Sequence, residues 1–231
     1  MPDMPKTEIE GLERRKDIAF GAALATQKII KAVETNIPET ERQKGWRDQF
    51  AKDTGDLFID KEVKSNIDSL TQIPNRRALY DRLGVEVDRA KRFKHSLAVI
   101  MMDVDGFKTV NDRYGHEVGD RVLQKTAKLL EADIRTSDYL GRYGGDEFVL
   151  ILPETERDQI LKRTDRLRLK IEKKFEEYNL SACFGLAVLG EGYQTVDEIM
   201  RAADEAMYFV KNDSKNGVGF RGSNGQLKVL K

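Results

Sequence analysis

The sequence predicts a two-layer α/β sandwich preceded by a helical stalk, and three observations carry that reading. From Ile67 onward, short apolar runs of strand length alternate with longer stretches of helical periodicity. A diglycine, Gly144-Gly145, lies between two such runs, the pattern of a hairpin turn. The residues before Ile67 carry a helical pattern only. We therefore divide the chain into a helical segment over 1–66, an α/β domain over 67–222 and a C-terminal tail over 223–231.

In the first segment, Ile18, Ala22, Ala25, Ile29 and Ala32 recur every three or four residues, the seam of a helix that packs on another helix. Asn36-Ile37-Pro38 ends it, because proline lacks the donor and disfavours helix in the residue before it. A second helical stretch follows from about Glu39 to Asn66, with Trp46 and Phe50 as packing residues and Gly55 as a break. A helix hairpin or coiled-coil stalk for dimerisation and signalling fits this pattern. A small sensor domain and a linker that orders only against a partner chain are the alternatives.

In the second segment, Leu97 to Asp103 reads as a buried strand ending in acid, and Val118 to Ile134 as a helix. Tyr139 to Arg142 and Glu147 to Leu152 are the arms of the hairpin. Glu154 to Tyr178 is a long charged helix, Leu180 to Val188 a strand, Val196 to Lys211 a helix, and Gly217 to Gly225 a loop. Phe148 and Phe184 belong to the core, and Cys183 is a small buried hydrophobe within a strand.

Composition narrows the function. Lys plus Arg and Asp plus Glu number 40 each among 231 residues, which argues against a generic nucleic-acid or anionic-membrane binder. The longest apolar run, Ile18 to Ala25, is far short of the roughly 18 residues that span a bilayer. The N-terminus has no secretory signal pattern, and a lone cysteine excludes a disulfide framework and a cysteine-built zinc site. The expectation is a soluble protein of a reducing, cytoplasmic compartment.

Chemistry gathers in two segments. One is Asp103-Val104-Asp105-Gly106-Phe107-Lys108, directly after the apolar strand; the other is Arg142-Tyr143-Gly144-Gly145-Asp146-Glu147-Phe148, on the hairpin. Carboxylates at a strand end and at a tight turn suit a hard cation such as Mg²⁺, which takes oxygen ligands and is completed by water and substrate phosphates. The two glycines permit positive φ and close approach of a ligand or backbone.

With their surroundings these segments resemble the GGDEF family, the diguanylate cyclases. Gly144-Gly145-Asp146-Glu147-Phe148 is the family's signature. Asp68-Ser69-Leu70-Thr71 with Asn75-Arg76 resembles its opening segment, and Asn111-Asp112-Arg113-Tyr114-Gly115-His116-Glu117-Val118-Gly119-Asp120 its central one. Ala203-Asp204-Glu205-Ala206-Met207-Tyr208, followed by Lys211, resembles the closing helix. The resemblance runs from about Ile67 to Arg221. It implies a mostly antiparallel sheet flanked by helices, like the palm of nucleotide cyclases and polymerases, and the condensation of two GTP into cyclic di-GMP across a homodimer.

The resemblance also implies site roles. Asp103 and Asp146 would bind Mg²⁺, with Mn²⁺ as a substitute, through side chains, and Val104 through its carbonyl. Glu147 would bind metal or support the site by hydrogen bonding. Asp146 would accept the 3′-hydroxyl proton. Lys108 and the backbone at Gly106 and Phe107 would stabilise phosphate charge, and Lys211 and Lys215 would hold the terminal phosphates. The family commonly has arginine where Lys215 stands, which puts bidentate gripping in doubt. Asn111 and Asp120 would read guanine, whose N1–H and N2–H₂ suit an acid acceptor, with His116 beside the nucleotide. Asp105 is either a support of the site or simply solvated. Arg135 and Asp138 form an RxxD pattern, the family's product-inhibition site, to which Arg89 would add a second arginine. An active cyclase is the leading reading. A silent cyclic di-GMP effector and a GTP-binding allosteric module are its competitors.

Overall fold

The computed structural model describes residues 66–222 and 224–231, so the helical stretches expected between Ile18 and Val63 lie outside the described residues. Residues Ile67–Lys231 form one compact unit. In chain order they give α1 (Arg76–Phe93), β1 (Leu97–Asp105), α2 (Phe107–Tyr114), α3 (His116–Glu131), β2 (Tyr139–Gly144) and β3 (Glu147–Pro153). Then follow α4 (Arg157–Lys174), a short 3₁₀ turn (Glu176–Tyr178), β4 (Ser181–Val188), α5 (Val196–Asp213), β5 (Gly217–Arg221) and β6 (Leu227–Leu230). Asn75 opens α1 by accepting from the Ala78 N–H at 3.2 Å, and Thr195 with Glu198 forms a capping box on α5.

The strands form one sheet in the order β2-β3-β1-β4-β5-β6. Every pairing is antiparallel except β4 with β5, which run parallel because α5 carries the chain across between them. The expected sheet flanked by helices is therefore what forms.

The layers number three rather than the two expected. All nine residues of β1 are buried, which a sheet with one wet face does not allow. Ala98, Ile100, Met102 and Val104 join a core with Val122 and Leu130 of α3 and Leu167 and Ile171 of α4. Leu97, Val99 and Met101 join a second core with Leu79 and Leu83 of α1 and Ile199 and Met207 of α5. The unbroken apolar run of β1 already carried this two-sided burial.

Two further expectations change. The segment read as a loop, Gly217 to Gly225, contains β5, and the expected tail contributes β6, which pairs Leu227–Leu230 with Val218–Arg221. The charged helix starts at Arg157, not Glu154, because Glu154 has φ +52° and ends β3 in a turn.

Candidate active site

The register of the sheet brings the two acidic segments together. Asp103 on β1 stands opposite Glu147 on β3, and the Val104 N–H donates to the Asp146 carbonyl at 3.3 Å. Asp103 is buried, with one carboxylate oxygen accepting from Lys211 Nζ of α5 at 2.7 Å. Its other oxygen, Oδ1, is buried with no hydrogen-bond partner. Burial, with the charges of Asp146 and Asp105, holds the Asp103 carboxyl above the usual range even though Lys211 opposes the shift. Glu147 is raised as well, first by burial and then by Asp103, Asp146 and Asp204. Burial alone would lower Lys211, but the bond and charge of Asp103, with Asp146 and Asp105, raise it.

The hairpin that presents Asp146 is pinned by Arg142. Its guanidinium donates to both oxygens of Asp68, at 2.9 and 3.2 Å, and twice to the Gly145 carbonyl, at 3.0 and 2.7 Å. Gly145 sits at φ +21°, which the diglycine permits. Asp68 is held in turn by the Thr71 N–H and hydroxyl, and these bonds with Arg142 keep its carboxyl below the usual range although burial pushes the other way. Beside the turn, Arg76 lies 4.5 Å from the centre of the Tyr143 ring, which stacks on Tyr80. Burial and the Tyr80 hydroxyl push the Tyr143 phenol up to about 12.

Beyond Asp105 the chain turns through Gly106 at φ +84° into α2, which carries half-buried Phe107, exposed Lys108 and half-buried Asn111. A second left-handed glycine, Gly115, separates α2 from α3, where His116 and Asp120 are exposed. Gly119 lets the two helices meet: a Cβ there would stand 1.9 Å from Asn111 Oδ1. That same Oδ1 is buried without a hydrogen-bond partner. The spacing of the central motif thus places Asn111 against the helix that carries Asp120.

Asp105, for which solvation was one of the two readings, is buried. It accepts from Ser181 Oγ, Cys183 Sγ and the Asn216 N–H, each at 3.1 Å. Cys183 is buried as expected, and burial and Asp105 together raise its thiol far above the ordinary value. Lys215 is exposed just past α5, on the rim of an open cavity of about 820 Å³ lined also by Gly106, Ser181, Glu172 and Asn216.

The RxxD turn differs from its expected form. Arg135 is exposed, but Asp138 is buried, accepting from the Arg135 N–H at 2.8 Å and pairing with Arg163 Nη1 of α4 at 2.7 Å. Asp138 therefore faces inward and shapes the turn instead of standing beside Arg135 as a second open ligand. Arg89, on α1, is exposed and lies 3.5 Å from Glu154.

The structure thus gathers Asp103, Val104, Asp146, Glu147 and Lys211 at one end of β1, and sets Gly106, Phe107, Lys108 and Asn111 directly after it. Sequence reasoning missed the Asp68–Arg142–Gly145 clamp, although both partners lie inside quoted motifs, and it missed the buried role of Asp105. Among the described residues, no three acidic, imidazole or thiol groups already converge as a finished metal cage. The donor set nevertheless fits a divalent cation, because a buried carboxylate oxygen lacks a partner and burial with neighbouring acids raises the carboxyls of Asp103 and Glu147.

Residues 65–217 match the family model described as diguanylate cyclase, GGDEF domain. The bifunctional diguanylate cyclase/cyclic di-GMP phosphodiesterase MucR of Pseudomonas aeruginosa is 40% identical over 157 residues, 66% of this chain and 23% of MucR. Diguanylate cyclase DosC of Escherichia coli is 36% identical over 158 residues, 66% of this chain and 34% of DosC. The chain thus spans about a quarter to a third of these relatives. The GGDEF domain of DgcB from Caulobacter crescentus, solved in complex with c-di-GMP, superposes with a TM-score of 0.63 at 26% identity, covering 67% of this chain and 95% of that one.

Proposed function

The chain belongs to the GGDEF diguanylate cyclase family, and we propose that it condenses two GTP into cyclic di-GMP, with each protomer of a homodimer presenting one nucleotide. The observation that carries this reading is the juxtaposition of Asp103 on β1 with Asp146 and Glu147 on the hairpin, where a buried carboxylate oxygen awaits a partner. The Asp103 and Asp146 side chains and the Val104 carbonyl would hold Mg²⁺ or Mn²⁺, with Glu147 as a further ligand or a hydrogen-bonding support. A bound cation would supply charge neutralisation at the phosphates and a more acidic 3′-hydroxyl.

The chain's own residues account for the rest. The 3′-oxygen of one nucleotide bonds to the α-phosphorus of the other, the bond to pyrophosphate breaks, and Asp146 takes the hydroxyl proton. The same exchange with the roles reversed closes the ring. Lys108 and the backbone at Gly106 and Phe107 stabilise charge at the phosphates, while Lys211 and Lys215 hold their far end. Asp120 accepts from the guanine N1–H and N2–H₂, and Asn111, half-buried against α3, is a second reader of the same base. His116, exposed at the start of α3, flanks the nucleotide. Adenine would leave these acceptors unpaired.

For product inhibition, Arg135 is the exposed grip and Asp138, by holding the Arg135 backbone, sets its direction. Arg89 joins from a neighbouring protomer once released from Glu154.

Incubating product-free protein with GTP and Mg²⁺ and resolving the nucleotides by chromatography tests the reading. Cyclic di-GMP and pyrophosphate should accumulate, and Asp146→Ala should abolish this while leaving the circular dichroism spectrum intact. An unchanged GTP peak with wild-type protein overturns the assignment.

A further inference from the structure

Lys215 and Asn216 follow α5 with φ +53° and +43°, two consecutive non-glycine residues in the left-handed region. Such a turn persists only where its surroundings hold it. Four hydrogen bonds hold it. The Lys215 N–H donates to the Val210 carbonyl at 2.9 Å, and the Asn216 N–H donates to Asp105 at 3.1 Å. The Asn216 side chain accepts from Arg168 at 3.1 Å and donates to Glu172 at 2.8 Å, both on α4. Asp105 itself is only 5% exposed and carries the Ser181 and Cys183 donors as well, so the turn is tied to the floor of the sheet.

Resting on the reading that Lys215 grips phosphate, we infer that Asp105 is a positioning residue: through the Asn216 N–H it fixes the left-handed turn that aims Lys215 into the site. Its action is that of an acceptor rather than of a charge on the reactants. Any loss of that acceptor should therefore weaken substrate binding by the same route as loss of the lysine.

Steady-state kinetics on the full chain tests this with four variants beside the wild type. Lys215→Ala should raise the KM for GTP about ten-fold with kcat changed less than about three-fold, the pattern of lost uniform binding. Asp105→Ala should do the same, and in the Lys215→Ala background it should add less than about two-fold, because the two act in series. Asp105→Asn keeps an oxygen for the Asn216 N–H and should recover most of the lost affinity. If the effects of Asp105→Ala and Lys215→Ala multiply, or if Asp105→Asn raises KM as much as Asp105→Ala, the inference is overturned. An unchanged KM in Lys215→Ala alone removes the phosphate-gripping reading instead. Should Asp105→Ala fail to fold, amide exchange on the wild-type protein still decides. The Asn216 N–H should be strongly protected although its neighbours Ser214 and Lys215 are exposed, and exchange at the free-loop rate refutes the tie.

Discussion

Gly119→Ala isolates the link between helix packing and the base recognition proposed for Asn111. Within a helix, replacing glycine by alanine gains about 1 kcal/mol when nothing else changes. At Gly119 the added carbon would stand 1.9 Å from Asn111 Oδ1, 3.0 Å from its Cγ and 3.2 Å from Phe107 Cζ, so α2 and its side chains must yield. Overfilling of this kind costs about 1–3 kcal/mol, leaving a net loss of roughly 0–2 kcal/mol after the helix gain. Gly84 on α1 is the control, with nothing within 4 Å of the added carbon. Gly84→Ala should raise Tm by about 2–4 °C, whereas Gly119→Ala should lower it by up to about 8 °C. Displacing Asn111 removes a hydrogen bond worth about 1 kcal/mol and should raise the KM for GTP by roughly five- to ten-fold. Thermal melts and GTP titrations of the two variants provide the comparison. If Gly119→Ala is stabilised as much as Gly84→Ala and its KM is unchanged, α2 and α3 do not meet as described.

Two further perturbations test the supports of the site. Because the Asp68 carboxyl is held below its ordinary value, its contribution to stability is full above about pH 4 and is lost as pH falls through the lowered value. Asp68→Asn should therefore destabilise by about 1–3 kcal/mol at pH 7, and the gap to wild type should close in acid; a gap independent of pH refutes the charged clamp on Arg142. Arg163→Met leaves Asp138 buried without its cation and should cost about 3–5 kcal/mol in denaturant unfolding, with Asp138→Asn in the same chain restoring much of it. A loss below about 1 kcal/mol would show that the RxxD turn does not depend on the pair.

What the sequence disclosed depended on how local each determinant is. β1, the hairpin and helices α3, α4 and α5 declared themselves through runs and periods within one segment, whereas α1 and α2 went unread, and the apolar continuity of Leu97 to Met102 even contained the double-sided burial. β5 and β6 did not, because their glycines and short alternation gain meaning only from pairing with β4 and with each other. Among site residues, Asp103 and Asp146 stood out by motif and met through the register of β1 with β3. The inward turn of Asp138 could not be read in the same way: its partner Arg163 lies on α4, and RxxD alone does not specify which way the acid points. The same holds for Asp105, whose three donors come from β4 and from beyond α5.

Zero net charge over the chain conceals a strong local imbalance. Burial, with Asp146 and Asp105, raises the Asp103 carboxyl, burial with Asp103, Asp146 and Asp204 raises that of Glu147, and Lys211 is the cation that counters both shifts. The raised carboxyls of Asp103 and Glu147 work against folding at neutral pH, where burial disfavours their charged forms. Lys211 offsets part of the penalty at one oxygen of Asp103 and leaves the other oxygen unpartnered. A structural ion-pair network would have matched these acids with bases, as Asp133 is matched by Arg166 and Lys170 a short distance away along the chain from Asp138. On the proposed function, an arrangement that keeps the deficit beside a glycine-opened turn gains its compensation when a divalent cation binds. On that reading the site is most stable when loaded, and the electrostatic cost of the bare protein is the physical counterpart of the affinity proposed for metal.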